Sequence, residues 1–225
     1  MRTLAVIALK GGSGKTTVAT HLALAGSLRG LDTVFADIDP QRSGFNIMSA
    51  REGGGPICVP TTGAQLLKAK FEGLAYRRQF MVIDTAAGFV EDASETIVLA
   101  DLTLLVVRPT LIDLSGLAPA LSLVRKLGKP SLVVMTQAPV AREGSEAPLV
   151  RRAMRALDYM QAVVAPTVLR SRVVYQVALE TGRSAEEMSD PAAAREVALL
   201  WRHVAGELGV DPELVRRTPE RRAAT

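Results

Sequence analysis

The sequence predicts an α/β fold, a mostly parallel, twisted sheet flanked by helices. Three observations carry that prediction. Short β-branched runs recur along the chain, stretches of helical spacing separate most of them, and acidic residues stand where two runs end. The first run, Thr3–Ala8, passes through a glycine-rich segment into helical spacing over Val18–Leu28. Runs at Thr33–Asp37 and Ile57–Val59 follow, with Gly53-Gly54-Gly55-Pro56 between them. That segment reads as a loop rather than a linker, because the alternation continues beyond it. Thr62–Tyr76 has helical spacing and leads to the run Phe80–Asp84. Leu102–Val107, Leu132–Thr136 and Val163–Leu169 are three more strands, alternating with helical stretches at Leu114–Leu127 and Leu149–Tyr159. Val197, Leu200, Trp201, Val204 and Leu208 recur at helical core spacing, so Trp201 reads as packing. Such alternation builds right-handed βαβ units, and their sheets bind ligands at the carboxyl ends of the strands.

Composition fits one compact domain over residues 1–218, with 219–225 a polar, frayed tail. Of the 225 residues 48% are hydrophobic and only 4% aromatic, so the core must rest on Leu, Val, Ile and Ala. No apolar run approaches the ~20 residues that cross a bilayer. The first strand starts at once, which leaves no room for a signal peptide. Cys58 is the only cysteine, so no intrachain disulfide forms; this suits a reducing cytoplasm, with Cys58 expected in the core.

Residues 10–17 read Lys-Gly-Gly-Ser-Gly-Lys-Thr-Thr, between a strand and a helix. A glycine-rich turn there points backbone N–H groups inward around a phosphate chain, where a Cβ would block the approach. The helix N-terminus adds its free donors and partial positive charge. Lys15 can reach β- and γ-phosphates, and the Thr16 hydroxyl can ligate Mg²⁺. Gly11, Gly12, Ser13, Gly14 and Thr17 complete the candidate cradle. Two departures from the general pattern stand out: Leu9 replaces the first glycine, and an additional lysine, Lys10, precedes Lys15 by five positions. Asp37, Asp39 and Asp84 fall at strand ends beside this segment, where a lysine and a carboxylate are costly without a ligand or partner.

Lys10-Gly-Gly-Ser-Gly-Lys-Thr-Thr17 resembles the deviant phosphate loop of the ParA/MinD ATPases. Asp37-Ile38-Asp39-Pro40-Gln41 is similar to the D-x-D-P-Q segment of ParA-type proteins. Phe80–Asp84 with Thr85-Ala86-Ala87-Gly88 is similar to the family's Walker B strand and switch. Arg172-Val-Val-Tyr175-Gln-Val-Ala178 and Gly182-Arg-Ser184 resemble a stretch of short partition ATPases such as ParF. The resemblance spans roughly residues 1–210 and implies a P-loop NTPase fold. It further implies ATP and Mg²⁺ as cofactors, with Lys10 reaching across a homodimer to the partner's nucleotide. Asp39 would position the attacking water, and Thr16 and Asp84 would hold Mg²⁺. The ATP dimer would bind non-specific DNA at the nucleoid, and a cargo-bound adaptor would stimulate hydrolysis and release. The chain starts at its phosphate-loop strand, so operator-specific repression through a preceding helix-turn-helix is not expected. A lone cysteine argues against the iron–sulfur relatives of the superfamily.

Other readings stand beside these. An Asp before Pro is also a common helix entry, so Asp39 has an N-cap alternative. Asp37 reads as indirect support to Mg²⁺. Gly88 either offers its N–H to a γ-phosphate or ends a strand. His21 and His203 lie in helical stretches without a ligand partner and are not read as catalytic. Net charge is +4, which permits nucleic-acid contact without requiring it. Arg151, Arg152 and Arg155 share a helix face that either meets phosphate or is simply solvated. Arg170 and Arg172 form a second candidate group, ranked first because the family-like stretch begins at Arg172. Arg216, Arg217, Arg221 and Arg222 form a third, and Lys68, Lys70, Arg77 and Arg78 a fourth. A MinD-like membrane cycler would need a bulky amphipathic C-terminal helix, for which Leu208, Val210, Leu214 and Val215 are a thin supply. A metabolic amide- or carboxylate-activating ligase of the same superfamily would need substrate-binding segments this chain scarcely has room for.

Overall fold

Parallel strands need both faces covered, and here the side chains divide between two helical layers. The structure, a computed structural model, describes residues 1–88 and 93–213. Its strands are β1 (Arg2–Ile7), β2 (Thr33–Asp37), β3 (Ile57–Pro60), β4 (Phe80–Asp84), β5 (Leu102–Val107), β6 (Ser131–Ala138) and β7 (Val164–Arg170). They form one sheet in the order β3-β2-β4-β1-β5-β6-β7, every neighbouring pair parallel. The helices are α1 (Lys15–Leu28), α2 (Ser43–Ser49), α3 (Gly63–Ala75), α4 (Ser94–Leu99), α5 (Leu111–Lys126), α6 (Pro148–Tyr159), α7 (Val174–Glu180) and α8 (Pro191–Glu207). The expected strands are all present, with only their ends moved. α2, α4 and α7 were not foreseen, because six or seven residues are too few to establish a helical period.

Alternation along the strands sends neighbours to opposite layers. Leu4 and Val6 of β1 join the cluster beneath α1 and α8, whereas Ala5 and Ile7 join the one beneath α5 and α6. On β4, Phe80 and Val82 face the α1/α8 layer, and Met81 and Ile83 pack with Leu66 and Ala69 of α3. Trp201 is 1% exposed and meets the Phe80 ring edge to face at 5.4 Å. Its indole N–H donates to the Pro212 carbonyl, and the Arg29 guanidinium lies over its ring. Trp201 is therefore a packing residue. Cys58 lies on edge strand β3 and is only half-buried, packed against the core's margin rather than within it. His21 is buried and neutral, since burial pushes its imidazole down to about 4. Its Nδ1 lies 2.8 Å from the Thr17 carbonyl oxygen. Among the described residues no helix is long and apolar enough to cross a membrane. The expected tail 219–225, Leu214, Val215 and the arginines from 216 onward lie outside the described residues.

The Gly182-Arg-Ser184 segment has a purely structural explanation. Gly182 follows α7 with φ +63, its N–H donating to Leu179 and that of Arg183 to Ala178, the paired bonds that close a helix on a left-handed residue. A Cβ there would stand 2.6–2.7 Å from the Arg51 backbone, so both conformation and space demand glycine. Ser184 then caps the turn Ala185–Glu187, whose Glu186 and Glu187 pair with Arg29 and Arg51. Gly182→Ala is expected to cost about 2–4 kcal/mol, the sum of a forced left-handed φ and an overpacked contact. At this chain length a thermal melt should fall by roughly 5–10 °C.

Candidate nucleotide-binding site

Parallel register decides which side chains meet. Asp37 and Asp84 are direct partners at the ends of β2 and β4, and Val6 of β1 pairs with Asp84 on the other side. The chain leaving β1 therefore starts its glycine-rich turn beside two buried carboxylates. Gly12 and Gly14 take φ +72 and +87, left-handed values that let the turn close onto α1. The helix begins at Lys15, earlier than its apolar spacing indicated, with no side-chain cap and no acidic residue in its first turn. Its orphan N–H groups are thus left for an anion.

Two contacts from β6, absent from the sequence reading, hold this turn. Thr136 Oγ1 donates to the Ser13 carbonyl at 2.6 Å, and Gln137 Nε2 donates to the Gly12 carbonyl at 2.6 Å. No motif signalled them; only their place at the end of a strand near the loop pointed that way. With the carbonyls bound from behind, the N–H groups remain on the open side. That side is a cleft of about 620 Å³, lined by residues 10–17, Asp39, Pro40, Gln41, Ser43, Ile47, Ala86 and Ala87.

Lys15 is 6% exposed, and its Nζ lies 2.7 Å from Asp84 Oδ1 and 3.8 Å from Asp39 Oδ2. Burial pushes the Asp84 carboxyl above its ordinary range, while Lys15 and the Thr16 hydroxyl pull it down and Asp37 adds to the rise. Asp84 Oδ2 and Ser13 Oγ are buried without hydrogen-bond partners among the described residues. An orphaned carboxylate oxygen close to a threonine hydroxyl fits a hydrated Mg²⁺. This hard cation takes one or two protein oxygens and completes its shell with water and phosphate. Among the described residues no three of His, Cys, Asp and Glu form a closed metal cluster.

Asp37 engages the backbone of the next turn. Its Oδ1 accepts from the Asp39 N–H at 3.0 Å and its Oδ2 from the Phe45 N–H at 2.8 Å. The carboxylate is spent on shaping the turn that carries Asp39. Asp39 is not a helix cap: Oδ1 accepts from Gln41 N–H within that turn, and α2 starts only at Ser43. Gly88 is exposed at the edge of the described segment. Lys10 is exposed, with its Cε above Gly116 of α5, and has no ion-pair or hydrogen-bond partner among the described residues.

The arginine groups separate. Arg151, Arg152 and Arg155 are exposed on α6, Arg151 bonding only to the Glu146 carbonyl. Arg170 and Arg172 are instead engaged. Arg170 forms a fork with Glu146 and also bonds the Pro139 carbonyl. Arg172 donates twice to Glu196, which also accepts from Tyr175 Oη and the Arg170 N–H. Both arginines line a second cavity of about 290 Å³ on the other side of the phosphate loop, with Thr17, Gln137, Tyr175 and Gln176. Ranking them first as phosphate ligands for DNA therefore needs correcting, because their charge is already neutralised and they face the loop.

Structural comparison finds the same fold in proteins of low sequence identity. A variant of McdA from Cyanothece in complex with ATP superposes with a TM-score of 0.76 at 20% identity, covering 94% of this chain and 97% of that one. The septum site-determining protein MinD from Pyrococcus horikoshii, complexed with Mg-ADP, gives 0.70 at 17% identity over 90% and 95%. A plasmid partition protein from Borrelia burgdorferi gives 0.66 at 15% identity over 92% and 98%. No curated protein matches by sequence. The family model described as the CobQ/CobB/MinD/ParA nucleotide binding domain matches residues 4–190, which takes in β1 from Leu4, the other six strands, the phosphate loop and all three aspartates. On that match, over a loop, a register and a cleft built for phosphate, the chain belongs to the CobQ/CobB/MinD/ParA family of nucleotide-binding domains.

Proposed function

We propose that this chain is a Mg²⁺-dependent ATPase of the partition type, acting as a nucleotide-gated homodimer on DNA. The observation that carries the reading is Lys15 held between Asp84 and Asp39 at the floor of an open cleft with a second, unpaired lysine at its rim. The backbone N–H groups of residues 11–16 would take the phosphate oxygens, and Lys15 would exchange Asp84 for the β- and γ-phosphates. Thr16 and Asp84 would hold Mg²⁺, which neutralises charge developing on the phosphates. Asp39, 17% exposed at the cleft wall, would orient the attacking water. The nucleoside fits the second cavity beside Thr17 and Gln137. Solved relatives holding ATP or Mg-ADP in this fold support the choice of ligand.

The unpaired Lys10 supports the dimer. A cation next to a phosphate site, with no carboxylate partner among the described residues, would be placed to complete a facing copy's site. DNA contact would then be cytoplasmic and nucleoid-associated, with a cargo-bound adaptor stimulating hydrolysis and so releasing the dimer. For the DNA surface the exposed Arg151, Arg152 and Arg155 replace Arg170 and Arg172, since only the former keep their charge available.

Lys15→Ala should weaken ATP binding by about 10- to 100-fold, the loss of one or two charge-assisted hydrogen bonds. Asp39→Ala should retain ATP within a few-fold while turnover falls by roughly 100-fold or more. Nucleotide titration and phosphate release measure both, and wild-type turnover in Asp39→Ala would remove the hydrolytic assignment.

Lys10→Ala should bind ADP normally yet stay monomeric with a slowly hydrolysed ATP analogue, read by light scattering. A dimer of normal stability would leave Lys10 without its proposed role.

DNA affinity should require ATP, show little sequence preference and fall steeply with salt, by about 0.9 log units per phosphate contact for each log unit of salt. Substituting Arg151, Arg152 and Arg155 with Ala should flatten that slope without loss of dimerisation. An unchanged slope places the basic surface elsewhere, and absence of DNA binding at low salt ends the nucleoid mechanism.

A further inference from the structure

The turn that carries Asp39 is held by a residue that never enters the cleft. Arg42 sits at φ 55 and ψ 28, a left-handed conformation that an L side chain adopts only when its surroundings enforce it. Its N–H donates to the Asp39 carbonyl at 2.9 Å, closing the turn Asp39-Pro40-Gln41-Arg42, with Pro at the second position where its fixed φ belongs. Its guanidinium Nη1 then reaches back and donates to two carbonyls, those of Asp37 and, at 2.6 Å, Thr61. Asp37 ends β2, and Thr61 follows β3; the Thr61 N–H itself donates to the Asp37 carbonyl at 3.0 Å. One cation therefore ties together the ends of two strands and the turn between them. On the other side of the turn the buried Asp37 carboxylate fixes the Asp39 and Phe45 N–H groups.

We propose that Arg42 is a positioning residue that holds the Asp39 carboxylate at the cleft wall in hydrolytic geometry. This rests on the reading of Asp39 as the group that orients the attacking water. Arg42 is absent from the cleft lining, so it acts on the reaction only through the turn. The left-handed backbone is held by the turn's own hydrogen bond and by the guanidinium's bonds to the Asp37 and Thr61 carbonyls. Losing the side chain frees the turn to swing Asp39 away from Lys15, while the phosphate loop, anchored separately by Thr136 and Gln137, keeps its shape.

The test separates backbone from guanidinium. Arg42→Gly accommodates the left-handed φ without cost and removes only the side-chain contacts. It should bind ATP within about 3-fold of wild type while turnover at saturating Mg-ATP drops by about 10-fold or more. Guanidinium ion at millimolar concentration should restore part of that turnover and leave Asp39→Ala unaffected. Arg42→Lys keeps a cation on the same backbone, and should fall between wild type and the glycine variant. It repeats the split between affinity and turnover if Arg42→Gly does not fold. Wild-type turnover in Arg42→Gly beside an inactive Asp39→Ala would overturn the role of Arg42 alone. So would a loss of ATP affinity equal to the loss of turnover, or a glycine variant indifferent to guanidinium. Wild-type turnover in Asp39→Ala would overturn the hydrolytic reading and the Arg42 role with it.

Discussion

The ion pair between Lys15 and Asp84, 2.7 Å long with both side chains nearly or wholly withdrawn from water, is the constraint around which the sheet end is organised. Moving two opposite charges out of water costs several kcal/mol per ion, and attraction repays this only when the geometry is tight. Here repayment is incomplete: one Asp84 oxygen has no partner among the described residues, and Asp37 stands close enough to raise the Asp84 carboxyl further. A fold selected for stability alone would do better with apolar residues of similar size. The arrangement makes sense as a poised site, because an arriving phosphate gives Lys15 a stronger partner and frees Asp84 for a cation.

Such poise requires the frame around the pair to stay still while its partners change. The register of β1, β2 and β4 sets the positions of Asp37 and Asp84, buried as they are at the ends of packed strands. The glycine-rich turn is fixed from β6 rather than from its own strand, through Thr136 and Gln137. Those bonds engage carbonyl oxygens of the turn, which leaves its N–H groups uncommitted. Asp37 holds the neighbouring turn in a different way, its carboxylate accepting two N–H groups while its carbonyl accepts from Arg42 and Thr61. Asp37 and Arg42 act from behind the cleft wall, whereas Thr136 and Gln137 also border the second cavity.

Local chemistry explains what could be read from the sequence and what could not. The phosphate loop was legible because lysine, glycine and threonine at fixed spacing have few other uses, and the strands because β-branched runs are long enough to show. The short helices α2, α4 and α7 hold under two turns each and carry no period. Gln137 and Arg42 were invisible because their roles depend on where a strand end and a turn happen to meet. Arg170 and Arg172 misled for a related reason: sequence displays a charge but not its neutralisation by Glu146 and Glu196, 24 residues away in each case. The bonds from the Asp39 and Phe45 N–H groups to Asp37 were likewise not legible from its place at a strand end.

The same distinction between engaged and available charge explains why one loop carries two lysines. Lys15 has a carboxylate of its own chain to neutralise and stays buried with it. Lys10, five residues earlier, is exposed above Gly116, where a side chain on α5 would come within 3.8 Å. An exposed lysine with no partner among the described residues gains little for the isolated chain, and its proximity to Lys15 raises the positive potential of an already electropositive loop. That potential attracts a polyphosphate, but one buried cation and a helix N-terminus already suffice to bind it. What Lys10 adds is reach beyond its own cleft: its charge faces solvent on the side from which another molecule must approach. In the proposed dimer an anion presented by that molecule would meet a donor that no carboxylate among the described residues engages, whereas Lys15 has Asp84 to give up first.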